Sequence, residues 1–228
     1  MGPIILIRTL TTDMDWKNLK LSLENADDAS VKGLIATEDF WRQPSNLILK
    51  SANFLRLRKR FGLALRLLSF FDSNGHSFSE KERILALYLI GDIYHDTDQY
   101  KLAIDLYTSI LSKEESDMAY NNRALAFWEL GDYRSAQKDY KSAISLNEKN
   151  WTSHRGFAEM TIKLNDPNLA LQHFKKAILE NPKYVNAYAG CGIALTRLGR
   201  NDDARQYLEK ALEIDPECGV AKKALEDL

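Results

Sequence analysis

Four histidines, two cysteines and one dense basic run are the residues of this 228-residue chain best suited to chemistry. Their spacing decides which chemistry is open to them. His76, His95, His154 and His173 show no metal-ligand spacing with one another or with Cys191 and Cys218, so no metal centre is expected. Two cysteines make neither a disulfide framework nor a zinc site, and Cys191, inside "YAGCGIAL", reads as a small apolar residue at a packed interface. Gly190 and Gly192 lack the third glycine and the preceding strand of a dinucleotide loop. There is no Gly-Lys-Ser/Thr phosphate loop and no serine or cysteine in a nucleophile elbow. The expectation is a protein without catalytic residues, cofactor, metal or small-molecule substrate: not an enzyme.

The basic run "RLRKRF" contains Arg56, Arg58, Lys59 and Arg60. It has two readings, a patch for nucleic acid or an acidic protein, and a solvated helix face balanced by acids elsewhere. The chain carries 31 basic and 32 acidic residues, net charge -1, which gives no general pull toward polyanions. Nucleic acid is therefore not the expected partner. The longest apolar run near the N-terminus, Ile4 to Ile7, is too short for a signal segment or a membrane span. A cytoplasmic location without membrane insertion is expected.

The elements that position these residues come from internal repetition. Ala103, Ala136, Ala170 and Ala204 are spaced 33, 34 and 34 residues apart. Four residues after each comes a large apolar side chain: Tyr107, Tyr140, Phe174 and Leu208. Upstream of each alanine lies a second helical stripe with a small residue at its centre, Gly91, Ala124, Ala158 or Gly192. Two antiparallel helices per repeat satisfy this pattern: the small residues allow close approach, and the large ones fill the space between successive repeats. Breakers agree. Gly131 stops a helix and Asp132 caps the next, Asp166 and Pro167 repeat that arrangement, and Pro182 and Pro216 end repeats.

From about Ile84 to Pro216 the chain resembles the tetratricopeptide repeat (TPR) family, most closely in "YAGCGIALTRLGRNDDARQYLEKALEIDP". The resemblance implies an all-α, right-handed superhelical solenoid of antiparallel helix pairs, with four clear repeats over residues 84–216. Residues 45–83 read as a degenerate TPR-like pair, with Ala64, Leu68 and Phe71 in register and a loop at Asp72 to Ser77. Ser79 and Glu82 form a capping box for the next helix. Residues 1–44 read as an arm, Met1 to Leu10, followed by helices over Asp13 to Asn25 and Ala29 to Arg42, as a cap or a further degenerate repeat. Residues 217–228 read as a capping helix with Ala221, Ala224 and Leu225 inward.

In such an array the first helix of each repeat lines a concave surface, and the positions between its core residues face that groove. The candidate partner-binding residues are Tyr88, Asp92, His95, Asn121, Asn122, Leu125, Trp128, Arg155, Glu159, Asn186 and Arg197. Ile162 and Ile193 share the same register, as do Lys50, Asn53 and Arg56 upstream. An asparagine there both donates and accepts to a peptide backbone, and Trp128 offers a flat apolar platform. Arg123 falls instead at a repeat-packing position. Some members of the family hold a chaperone's C-terminal carboxylates with a lysine and asparagine, then an asparagine, then a lysine and arginine. Here Asn122 matches, but Tyr88, Asp92, Thr152 and Gly156 occupy the other places, which argues against that clamp.

The expected function is a non-enzymatic interaction module that holds a peptide or protein segment as a scaffold or adaptor. Two readings compete with it. One is a cytosolic chaperone or assembly factor for a bacterial secretion or pilus-type system. The other is a nucleic-acid-associated regulator using Arg56 to Arg60. Self-association through the ends of the array is a further expectation.

Overall fold

The computed structural model describes residues 16–36, 44–73 and 79–228, and all regular structure among them is helical. The helices are α1 (Trp16–Asn25), α2 (Asp28–Ile35), α3 (Ser45–Leu57), α4 (Phe61–Ser73), α5 (Glu80–Asp96), α6 (Tyr100–Leu111), α7 (Asp117–Glu129), α8 (Tyr133–Leu146), α9 (Trp151–Lys163), α10 (Pro167–Glu180), α11 (Val185–Arg197), α12 (Asn201–Ile214) and α13 (Gly219–Glu226). The chain divides into two compact units, Met1–Leu106 and Tyr107–Leu228, the boundary falling within α6.

Five hairpins share one turn. Lys59, Asp98, Gly131, Asn165 and Gly199 all have positive φ, at 58°, 59°, 80°, 62° and 71°. Around each, the amide after the left-handed residue bonds back five residues: Arg60 to Leu55, Gln99 to Tyr94, Asp132 to Phe127, Asp166 to Thr161 and Arg200 to Leu195, at 2.7–3.0 Å. This is the Schellman closure, which satisfies otherwise orphaned carbonyls at a helix end and reverses the chain. Ala64, Ala103, Ala136, Ala170 and Ala204 are all fully buried. The hairpin of α3 and α4 thus has the same turn and the same close-approach alanine as the four downstream.

In the first unit the core is a continuous aliphatic cluster in which Leu19, Leu23, Val31, Leu34, Leu47, Ile48, Leu55, Leu67 and Ile93 take part. Asp27 caps α2 by accepting from the Ser30 amide at 2.7 Å. The expected capping box forms: Glu82 Oε2 accepts from the Ser79 amide at 2.8 Å, and Ser79 Oγ accepts from the Glu82 amide. Two boundaries differ from the sequence expectation. Helix α2 begins at Asp28 and ends at Ile35, and α4 runs on to Ser73. The arm at residues 1–10, Trp41 and the Asn74-Gly75 turn lie outside the described residues.

In the second unit the packing alternates aromatic and very small groups. Tyr107, Tyr140, Phe174 and Leu208 are at most 3% exposed. A Cβ built on Gly192 would fall 2.5 Å from Leu208 Cγ, so that hairpin closes only because the position has no side chain. Asp132 and Asp166 cap α8 and α10, and Pro167 opens α10, as the breaker residues imply. Helix α13 packs against the preceding hairpin, with Ala221 fully buried and Ala224 and Leu225 packed against the same cluster.

Candidate functional site

Within the second unit, helices α7, α9 and α11 present a cavity of about 380 Å³. Trp128, Glu159, Ile162, Lys163, Phe174, Asn186, Gly190, Ile193 and Val220 line it. Each residue arrives by repeat geometry. Trp128 lies in the last turn of α7, Glu159 to Lys163 form the C-terminal half of α9, Asn186 to Ile193 belong to α11, and Val220 comes from the capping helix α13. Phe174, from α10, is the floor. A Cβ on Gly190 would fall 2.5 Å from Phe174 Cζ, so the missing side chain both admits the ring and bares it to the cavity.

One repeat earlier the same construction recurs. A Cβ on Gly156 would sit 2.5 Å from Tyr140 Oη, so the phenol ends directly beneath the Gly156 backbone. Tyr140 is 1% exposed, and burial pushes its hydroxyl well above the ordinary value of 10, with Arg155, Glu159 and Glu129 close enough to act on it. The hydroxyl therefore stays protonated, a neutral donor.

The charges around the cavity are largely committed. Arg155 pairs with Glu159 one turn on at 3.1 Å and lies over the Tyr184 ring at 6.0 Å. Arg197 Nη1 donates to the Ile162 carbonyl at 2.5 Å, near the end of α9, where the Asn165 amide also donates at 3.2 Å. Lys163 lies over the Trp128 indole at 5.9 Å and has no carboxylate within ion-pair distance among the described residues. It is the cation of the lining that remains available.

The structure thus brings Trp128, Glu159 and Asn186 together on one cavity, with Arg155 beside it through Glu159. Asn122 and Leu125 are half-buried on α7, Asn122 Oδ1 accepting from Asn121 Nδ2 at 3.0 Å. Against expectation, Asn121 is only 9% exposed: it belongs to the stack between α7 and α9, its Oδ1 accepting from Ser153 Oγ at 3.1 Å. Tyr88 is also buried, 6% exposed, on the packed side of α5. Asp92 lies 3.9 Å from Arg56, within the first unit. His95 packs edge-on to Tyr100 at 5.4 Å with its Nε2 buried. Sequence reasoning missed Lys163, Phe174, Gly190 and Val220. The legible signal was Gly156 and Gly190, 34 residues apart and in register with Asn122, each one repeat beyond an aromatic.

Five pairings were not visible in the spacing. Arg123 makes a bidentate bond to Asp139, at 2.6 and 2.9 Å, and reaches Thr108 at 3.0 Å. His154 and His173 meet Nδ1 to Nδ1 at 2.9 Å, with His154 Nε2 3.0 Å from the Glu148 carbonyl. Because a carbonyl only accepts, His154 carries its proton on Nε2, and His173 Nδ1–H donates to His154. Burial lowers both pKa values, that of His173 to about 4, so the pair is neutral at pH 7. The three arginines of the basic run are paired within their own unit: Arg56 with Asp96 at 2.7 Å, Arg58 with Glu24, and Arg60 with Asp28 at 2.5 Å. Arg60 also donates to the Leu23 and Ala26 carbonyls at 3.1 Å, tying down the end of α1. No cluster of three or more potential metal ligands exists among the described residues, and no described helix is long and apolar enough to cross a membrane. Both cysteines are buried, and burial raises the Cys191 thiol to about 12.

Stacked helix hairpins with one turn geometry and an open, side-chain-lined face define a repeat array of the kind that holds other macromolecules. Sequence profiles of the tetratricopeptide repeat match residues 86–119, 118–150 and 161–228. The chain belongs to the tetratricopeptide repeat family. Among its relatives, the small glutamine-rich tetratricopeptide repeat-containing protein 2 of Mycosarcoma maydis is 34% identical over 117 residues, 50% of this chain and 32% of that protein. The STIP1 homolog of Dictyostelium discoideum is 32% identical over 108 residues, 47% of this chain and 19% of that protein. The chain spans about a third or less of the length of these two relatives. The photosystem I assembly protein Ycf3 of Prochlorococcus marinus is 27% identical over 115 residues, 46% of this chain and 66% of that protein. Of solved structures, YrrB, described as a TPR protein with an unusual peptide-binding site, aligns over 81% of this chain and 93% of its own, with TM-score 0.58 at 21% identity. MamA aligns over 73% and 95%, with TM-score 0.60 at 22% identity. These likenesses show the fold, the all-α TPR solenoid.

Proposed function

We propose that the chain is a non-enzymatic interaction module that holds a segment of a partner protein on the α7–α9–α11 face, as a scaffold or adaptor. The observation that carries this reading is the cavity floored by Phe174 and walled by Trp128, Ile162, Ile193 and Val220. A concave apolar site with a few polar groups at its edge is the usual form of a binding site. The peptide-binding site named for YrrB is consistent with it. The test is affinity purification with mass spectrometry, comparing wild type with the Asn122→Ala, Trp128→Ala double variant. Loss of a wild-type partner from the double variant is expected; a full set of partners retained would refute the assignment of this face.

A second reading, an assembly factor that holds a client during construction of a larger complex, is favoured by the resemblance to Ycf3. Co-expression separates the two, because an assembly factor keeps an otherwise insoluble client in solution whereas a scaffold joins partners already folded. A nucleic-acid role draws no support from Arg56, Arg58 and Arg60, which already have carboxylate partners.

A further inference from the structure

The α9–α11 part of the face holds more information than an apolar depression. Two glycines in one register, Gly156 and Gly190, lie directly over a phenol and a phenyl ring contributed by the preceding repeats. A glycine surface lets a ligand backbone approach to contact distance, which any side chain there would prevent. Tyr140 Oη lies under the first of these surfaces. Phe174 lies under the second, at the bottom of a cavity large enough for one bulky side chain. The charges point the same way. Glu159 is held by Arg155 and Arg197 is held by a backbone carbonyl, which leaves Lys163 as an unmatched positive charge on the rim.

We infer that this face takes an internal, extended segment of a partner chain that seats one bulky apolar side chain on the Phe174 ring, between Trp128 and Ile193, and carries an acidic residue beside that anchor, within reach of Lys163. The segment's backbone crosses the Gly156 surface, where one of its carbonyls accepts a hydrogen bond from Tyr140 Oη. The segment does not end at this site: a C-terminal carboxylate would be a second anion beside the acidic residue, and the two arginines that could receive it are already bonded within the repeats, while an N-terminal ammonium would be repelled by Lys163. This inference specifies the ligand of the proposed interaction face and rests on that reading.

The test is a library of random peptide segments, displayed with both ends tethered, selected on wild-type protein and on Lys163→Glu. Lys163 is exposed, so the reversal leaves the core intact. Wild type should enrich segments with one aromatic or large aliphatic residue flanked by Asp or Glu. Lys163→Glu should keep the anchor and exchange the acid for Lys or Arg. With a synthetic peptide copied from a selected segment, Trp128→Ala should weaken binding about tenfold or more, as loss of a central anchor does. Tyr140→Phe, which keeps the ring, should weaken it about three- to tenfold. Segments without an anchor, or with the same charge preference on both proteins, overturn the inference. If such segments still lose affinity on Arg155→Ala or Asn186→Ala, the interaction face stands and only its ligand was misread. If no segment binds folded wild type above an unfolded control, both readings fall.

Discussion

Two glycines of the first unit and three of the second do opposite work. In the first unit, Gly33 lies within α2 and Gly62 within the first turn of α4, and a side chain added to either would meet nothing within 4 Å. In the second, Gly156, Gly190 and Gly192 each lie against the side chain of a neighbouring helix, where an added Cβ would fall 2.5 Å from it. The first unit fills its interior with aliphatic bulk and is clamped outside by arginine–carboxylate pairs. The second packs small against large in strict register, and that register leaves a cavity. The proposed binding face is thus a by-product of how tightly the repeats stack, and perturbations should act differently on the two units.

The largest difference should come from removing one carboxylate in each. Asp139 is 3% exposed and receives both branches of the Arg123 fork, so Asp139→Ala removes a buried carboxylate and leaves the half-buried Arg123 guanidinium without its counter-ion. It should cost about 3–5 kcal/mol, measured by urea denaturation. Asp28 also receives an arginine, but its side chain is 65% exposed, and Asp28→Ala should cost no more than about 1 kcal/mol. Equal losses would mean that the Arg123–Asp139 pair is solvated in solution and that the contrast between the units is wrong.

Next comes the sign of a glycine-to-alanine change. Gly33→Ala should stabilise the protein by up to about 1 kcal/mol, because a helix interior gains from losing glycine's backbone freedom. Gly190→Ala gains the same amount locally but drives a methyl into the Phe174 ring. Overpacking of about 1–3 kcal/mol outweighs that gain, so thermal melting should show a net loss and the cavity should shrink. A stabilised Gly190→Ala would show that the Phe174 ring can retreat and that the cavity floor is soft.

The third contrast is with pH. His154 is buried and His173 half-buried; both are held neutral, with folded pKa values below the ordinary 6.5, and Lys176 lowers both further while Glu148 and Glu180 raise that of His154. Between pH 6.5 and about 4 the unfolded chain therefore binds protons that the folded chain refuses, and stability falls as pH falls. The pair is only partly buried, so after allowance for solvent screening the loss is on the order of 1–2 kcal/mol. It should disappear in His154→Gln, His173→Gln, with chemical denaturation at pH 7 and pH 5 as the comparison. An unchanged pH dependence in that variant would place the acid sensitivity elsewhere.

These cases also show what a single sequence could reveal. The hairpins, their caps and their register were legible because alanine, aromatic and breaker positions recur at a fixed interval, and each recurrence has a steric or hydrogen-bonding cause. Trp128, Ile162 and Ile193 could be placed toward one face by the same phasing. The partners of buried polar groups could not. Arg123 and Asp139 lie 16 residues apart, and His154 and His173 lie 19 apart, on helices that meet side by side, so no single-helix period links them. Asn121 shows the limit of phasing alone, because one step around a helix separates a surface amide from one inside the stack. The Phe174 floor was hidden for another reason: a residue read as filler between repeats becomes part of a surface only when the helix above it has a glycine.

The smallest expected effect tests the feature the two units share. All five hairpins turn through a left-handed residue, yet the first uses Lys59, at φ 58°, where the third and fifth use Gly131 and Gly199. A lysine there has its Cβ crowded against the following carbonyl, which costs about 1 kcal/mol or slightly more. Glycine removes that strain but has more freedom to lose on folding, by roughly 0.5–1 kcal/mol. Lys59→Gly should therefore stabilise the first unit by only a few tenths of a kcal/mol, within reach of careful paired melts. Gly131→Lys makes the reverse change in the second unit, and no neighbouring atom crowds the position. It should destabilise by the same small amount. Matching magnitudes of opposite sign would establish that the α3–α4 hairpin closes on the same turn energetics as the recognisable repeats, despite its weaker sequence pattern. A loss from Lys59→Gly would mean that the lysine side chain contributes to the first unit beyond its backbone, and the equivalence of the five turns would fail at that position.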